Sequence, residues 1–149
     1  MAQEWDTRVG AYAVVVRDGM ILLAHWNELG RQGWTLPGGG LELGEDAPTA
    51  AVREVLEETG YVVELDELLG VDSLHIRPED RLNGSGRPMH ALRIVYRAHP
   101  VAGELVHELD GSTDEAAWVP LADVPELARV ELVDTAIRLS YQSQGRALL

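Results

Sequence analysis

The 149-residue sequence predicts an α/β protein, a mixed β-sheet with helices packed against it. Three observations carry this. Strand-like and helix-like segments follow in the order β-β-α-β-β-β-α. The first apolar run, "VGAYAVVVRDGMILLAHW", is divided by Asp18-Gly19, a hairpin signal. A helix with Pro48 near its first turn and Gly60 at its end separates the two groups of strands.

In chain order, the hairpin is followed by a polar loop, "NELGRQG" (27–33), and by "WTLP", a short extended piece ending at Pro37. "GGG" at 38–40 then reads as a turn whose backbone can pass close to a ligand. "LEL" reads as another short strand, and helix signals run from Asp46 to Gly60. "YVVELDELLGVDSLHI" suggests one long strand, or two with a bend near Gly70. Residues 77–88 read as an exposed loop, "MHALRIVYRAHP" as the clearest later strand and "AAWVPL" as another. "ADVPELA" starts a short helix, and "ELVDTAIRLSYQ" closes the chain as an amphipathic one.

The length fits one domain, 1–149. A composition of 46% hydrophobic and 25% charged residues is that of a soluble globular protein. No apolar run approaches the roughly 18 residues of a membrane span, and "MAQEWDTR" lacks the features of a signal peptide. With no cysteine, thiolate and disulfide chemistry are excluded. The expectation is a cytoplasmic protein with no membrane association. The net charge of −13 argues against gripping nucleic acid, which needs a basic surface. A small phosphorylated ligand stays open if a cation mediates.

The segment "REVLEETG" shows where such a cation would sit. On a helix over 46–60, Val52, Val55, Leu56 and Thr59 share one face, the stripe expected to be buried. Glu54, Glu57 and Glu58 fall on the other side, beside the small residues Ala47, Ala50 and Ala51. Like charges at i, i+4 cost a few tenths of a kcal/mol, and clustered carboxylates raise one another's pKa. A divalent cation removes both penalties, and an all-oxygen set suits Mg²⁺ or Mn²⁺. A carbonyl from Gly38 or Gly39 would complete the shell. The plain alternative is a solvated acidic face.

The wider spacing joins Gly39, Glu45, Arg53, Glu54, Val55, Glu57, Glu58, Gly60 and Tyr61 in the pattern G-x5-E-x7-R-E-U-x-E-E-x-G-U, where U is a bulky aliphatic residue. Its seven invariant matches have a chance probability on the order of 10⁻⁸ per starting position, so coincidence is set aside. The segment resembles the signature of the Nudix hydrolases, with Tyr61 standing in an aliphatic slot. The resemblance extends over about residues 8–140 through the preceding hairpin, "GWTLPGG" and "EAAWVPL". It implies an α/β/α sandwich with a mixed sheet. It also implies Mg²⁺- or Mn²⁺-dependent hydrolysis of a nucleoside diphosphate linked to another group.

Carried onto this chain, the resemblance makes Glu54, Glu57 and Glu58 metal ligands, with Gly38 contributing its carbonyl. Glu54 or a neighbour would orient the attacking water. Arg53 and Glu45 would pair and hold the carboxylates in place. Many members add an acid from a late loop; the candidates here are Asp114 and Glu115, with Asp110 behind them, and loop surface is the plain alternative. Where members often carry an arginine after the second strand, this chain has His25 and Trp26, so Arg31 is the candidate phosphate contact. Trp26 and Trp34 are candidates for stacking on a base, with core packing the alternative for Trp34. His75 and His90 are candidate proton carriers or satisfied strand histidines. The loop with Arg77, Arg81 and Arg87 is a candidate mobile substrate contact.

The short length favours a (deoxy)nucleoside triphosphate pyrophosphatase of MutT type. A pyrophosphatase acting on ADP-ribose or another nucleoside diphosphate sugar is the alternative, although Pro78 is misplaced for the former's usual proline. A non-catalytic nucleotide-sensing domain is a third reading. The expected partner is a small-molecule nucleotide, and because the family is often dimeric, a homodimer is an expectation.

Overall fold

The computed structural model describes residues 4–107 and 111–147. Strands β1 (Asp6–Arg17) and β2 (Met20–Glu28) flank the turn at Asp18-Gly19, where both residues take positive φ (54° and 75°). They pair only at Val16–Ile21 and Arg17–Met20, then diverge. β2 continues into β3 (Arg31–Thr35) and β4 (Gly38–Gly40), and helix α1 spans Ala47–Thr59. Next come β5 (Tyr61–Ile76), β6 (Met89–Gly103), β7 (Thr113–Pro120) and helix α2 (Glu131–Ala147).

The sheet order is β3-β2-β1-β6-β5, with β4 added to β1 and β7 to β2. The β1–β6 pair is parallel, from Asp6–Met89 to Val15–Ala98, and the other pairings are antiparallel. Alternation along β1 creates the layers. Ala11, Ala13 and Val15 pack on the α1 side with Ala50, Ala51 and Val55. Tyr12 and Val14 face the α2 side with Leu132, Val133 and Ala136. A helix on each face makes the α/β/α sandwich, and each fully buried Val or Leu contributes about 1.5–3 kcal/mol to it.

Several expectations are corrected. Residues 27–33 form no open loop: β2 runs to Glu28 and turns tightly through Leu29 (φ 49°) and Gly30 (φ 81°) into β3. "LEL" is no strand; the glycines before it pair with β1, and Leu43 is fully exposed. A Cβ at Gly38 would lie 2.3 Å from the Ala11 carbonyl oxygen, so only glycine fits there. "YVVELDELLGVDSLHI" is a single strand whose register shifts three times, the last between Leu68 and Gly70. "ADVPELA" belongs to a 3₁₀ helix, Leu121–Glu126. No helix of the described residues is long and apolar enough to cross a membrane.

Candidate functional site

Helix α1 is stopped and started by its own sequence. The Asp46 side chain accepts from the Thr49 backbone N–H at 2.9 Å, and the Thr49 hydroxyl, then that N–H, hold its carboxyl below the usual pKa. Gly60 ends the helix in the left-handed region (φ 84°), its N–H on the Leu56 carbonyl. The buried face differs from the expected stripe. Ala50, Ala51, Val55, Glu58 and Thr59 are buried, whereas Leu56 is exposed. The alanines are the floor of α1 against β1, and their smallness draws Glu54 and Glu58 in beside the glycines of β4.

Glu58 accepts from the Gly38 backbone N–H at 3.0 Å and is 5% exposed. A Cβ added at Gly39 would stand 2.8 Å from the Glu54 carboxylate. The glycines therefore let the helix acids lie on the strand backbone. Arg53 organises the rest. Its Nε and Nη2 grip both oxygens of Glu45, at 2.8 and 2.9 Å, as expected for that pair. Nη1 donates to Glu54 at 3.0 Å and reaches Glu57 at 3.3 Å, and Nη2 also reaches the Gly40 carbonyl. The Arg53 fork, with the Glu42 N–H, pulls the Glu45 pKa down to about 2. Glu45 in turn, then Glu54 and Glu57, raises that of Arg53.

Among the described residues no three acids or histidines stand ready as they are to hold an ion; the Arg53 guanidinium lies between Glu54 and Glu57. The donor set nonetheless fits a hard divalent cation. It is all oxygen, carries a large surplus of negative charge, and lies over glycines whose missing side chains clear the space.

The other candidates lie elsewhere. Asp114 and Glu115 are in strand β7 rather than a loop. The Asp114 carboxylate accepts from His25 Nδ1 at 2.7 Å and Asn27 Nδ2 at 3.1 Å, which hold its pKa below the usual value. Asp110 lies outside the described residues. Arg31 donates to the Asp80 carbonyl at 2.9 Å, and the Trp26 indole N–H to Glu28 at 3.1 Å. Trp34 packs partly buried against the α2-side core and meets His25 edge-on. His75 and His90 face each other across β5 and β6, and His90 also meets Ser73.

The arginine loop is braced rather than free. Arg81 reaches Asp6 at 2.6 Å, Arg87 the same carboxylate at 3.0 Å, and Arg77 reaches Asp80 at 2.9 Å. The reading of the sequence missed Arg8. Arg8, Gly10 and Tyr12 share one face of β1; without a side chain at Gly10, Arg8 reaches the Tyr12 hydroxyl at 3.2 Å. Burial opposes its charge, but Tyr12, Glu54 and Glu28 together raise its pKa. The two-residue spacing was its only signal.

The NUDIX domain model matches residues 6–138. The chain belongs to the Nudix family. It is 34% identical over 143 residues to MutT4 of Mycobacterium tuberculosis, covering 89% of this chain and 54% of that protein. It is 33% identical over 121 residues to an ADP-ribose pyrophosphatase of Methanocaldococcus jannaschii, covering 80% of this chain and 66% of that protein. Among solved structures, a NUDIX hydrolase from Nitrosomonas europaea superposes with a TM-score of 0.78 at 25% identity, over 93% of this chain and 90% of that one. The chain thus spans between about half and two thirds of the length of the two sequence relatives. In this Nudix domain the signature acids Glu45, Glu54 and Glu57 are gathered around Arg53, and Glu58 rests on the Gly38 N–H.

Proposed function

We propose that this Nudix domain hydrolyses a pyrophosphate bond in a nucleoside diphosphate joined to another group, with Mg²⁺ or Mn²⁺ as cofactor. The observation that carries it is the seating of Glu54 and Glu58 on the β4 glycines, with Arg53 clamping Glu54, Glu57 and Glu45 together beside them.

Glu54, Glu57 and Glu58 would hold the metal, together with the Gly38 carbonyl. When bound, the metal supplies charge neutralisation for the phosphates and acidifies a water. The chain's own residues do the rest. Arg53 and Glu45 keep the carboxylates pointed at the cleft and are positioning residues. Glu54, seated against Gly39, or a neighbouring acid orients or deprotonates the attacking water. Repulsion from a protein of net charge −13 is thereby overcome locally.

A (deoxy)nucleoside triphosphate pyrophosphatase of MutT type is the favoured reading, supported by the MutT4 relative. The archaeal relative keeps ADP-ribose as the second reading. The presence of every signature acid favours turnover over nucleotide sensing alone. The test is a panel of nucleoside triphosphates and nucleoside diphosphate sugars with Mg²⁺ or Mn²⁺ and identified products, run beside calorimetric titration of either metal. Product from one substrate class, abolished by EDTA, is the expected result. Neither turnover nor metal uptake in the presence of nucleotide would sink the proposal.

A further inference from the structure

We infer that Arg8 is the residue through which this chain grips the substrate's phosphates directly, its guanidinium donating to a non-bridging phosphate oxygen. This rests on the hydrolase reading above. The chain contains no lysine, so a fixed cation for that task must be an arginine. After the second strand, where Nudix members often carry one, this chain has His25 and Trp26. Arg31, in the next strand, donates to the Asp80 carbonyl, and Arg53 is taken by Glu45, Glu54 and Glu57.

Arg8 is placed differently. An arginine has five N–H donors; the bond that Arg8 makes runs from Nη1 to the Tyr12 hydroxyl at 3.2 Å. It forms no ion pair among the described residues, and it is exposed to solvent. Crowding by neighbours works against its charge, and Tyr12, then Glu54, then Glu28 sustain it. Glu54 belongs to α1 and Glu28 to the end of β2. Arg8 therefore stands in the gap that opens where β1 and β2 diverge, with the helix acids on one side of it.

Strand β4 fixes its position relative to those acids. The three glycines of β4 pair with β1 and with no other described strand. A Cβ on Gly39 would stand 2.8 Å from the Glu54 carboxylate, and a Cβ on Gly40 would stand 3.5 Å from Arg8 Nη2. Successive residues of a strand face opposite ways. The acid and the guanidinium thus flank adjacent residues of one narrow strand, from its two faces. A diphosphate lying against β4 is within reach of both, of the acids through their metal and of Arg8 directly. Gly10 lies between Arg8 and Tyr12 on the same face; a Cβ there would crowd the Tyr12 ring at 2.8 Å. Its absence lets the hydroxyl hold the guanidinium in place, which makes Tyr12 a positioning residue. A guanidinium fixed before binding matches a phosphate in charge and shape.

The test is calorimetry at saturating Mg²⁺ with two probes that resist hydrolysis: methylenediphosphonate, which carries no nucleoside, and α,β-methylene-ADP. The wild type should bind both. Arg8→Gln should weaken methylenediphosphonate about 10–100-fold, and Arg8→Lys should recover part of that loss. Tyr12→Phe should weaken it about threefold. Uptake of Mg²⁺ alone by Arg8→Gln is measured beside these. An Arg8 that merely offsets the charge of Glu54 would alter that uptake and leave the diphosphate affinity as it was, which overturns the inference. A wild type that takes up Mg²⁺ and ignores methylenediphosphonate overturns it too.

Kinetics separates this inference from the reading it rests on. With a substrate found in the nucleotide panel, Arg8→Gln should lower kcat/KM by a similar factor. An unchanged kcat/KM in a folded Arg8→Gln overturns the role of Arg8 and leaves the hydrolase reading intact. Should the wild type hydrolyse nothing in the panel while Arg8→Gln still weakens methylenediphosphonate, the hydrolase reading fails and the phosphate contact stands.

Discussion

Two arginines of this chain each gather carboxylates, and they do different work. Arg93, on β6, bonds Asp72 on β5 through Nε at 3.0 Å and through Nη2, and Glu131 on α2 at 3.0 Å. Its side chain is 8% exposed, and its two partners belong to two different elements, β5 and α2. Arg53 grips Glu45, Glu54 and Glu57, with Glu42 at 3.9 Å, all within one loop and one helix. The first cluster carries one surplus negative charge and ties a helix to the sheet. The second carries three, opens to solvent at Glu42 and Glu57 and abuts glycines. Charge pairing alone marks neither as functional. The surplus of acid together with cleared space separates a cation cradle from a structural clamp.

The strongest way to break this contrast is Glu57→Gln. If Glu57 helps hold the metal, several kcal/mol of transition-state stabilisation are lost, a fall in turnover of about three decades. Because Glu57 is 47% exposed, thermal unfolding should be unchanged. Phosphate release and calorimetry measure the two effects; full activity would make Arg53 another clamp.

Arg93→Ala tests the other side. It leaves Asp72 without its buried partner and should lower stability by about 3–5 kcal/mol in urea unfolding, with kcat per folded molecule retained. Gly39→Ala pushes a methyl against the Glu54 carboxylate and should weaken metal binding about 10–100-fold by calorimetry.

Acid sharpens the comparison. Glu45 falls from an ordinary 4.5 to about 2 in the folded state. A depressed carboxyl stabilises the fold fully above its unfolded value and loses that contribution as pH drops through the folded one. Wild-type stability should therefore fall between about pH 4.5 and 2, and Glu45→Gln should flatten that limb in thermal scans. The smallest effect is expected for Glu131→Gln; at 65% exposure its bond to Arg93 should be worth under about 1 kcal/mol.

Features written in short stretches of chain were legible. The Asp18-Gly19 turn, the α1 limits at Asp46 and Gly60 and the Arg53–Glu45 pair all depend on neighbours a few residues apart. Contacts between distant segments were not. The exposed Leu56 and buried Ala50 and Ala51 were misassigned because helical periodicity gives faces without saying which face the sheet covers. The glycines of β4 were read as a turn because their pairing depends on β1, far upstream. Asp114 looked like loop acid because His25 lies 89 positions away.

The sequence by itself determined the family, the glutamate row and the helix that displays it, since these follow from local spacing, capping and residue chemistry. Tertiary structure alone decided which acids are spoken for. Asp114 is taken by His25 and Asn27, Asp72 by Arg93, and Asp6 by Arg81 and Arg87. Each pairing joins segments whose meeting is set by strand register, and register is a property of the whole sheet rather than of any one stretch of chain.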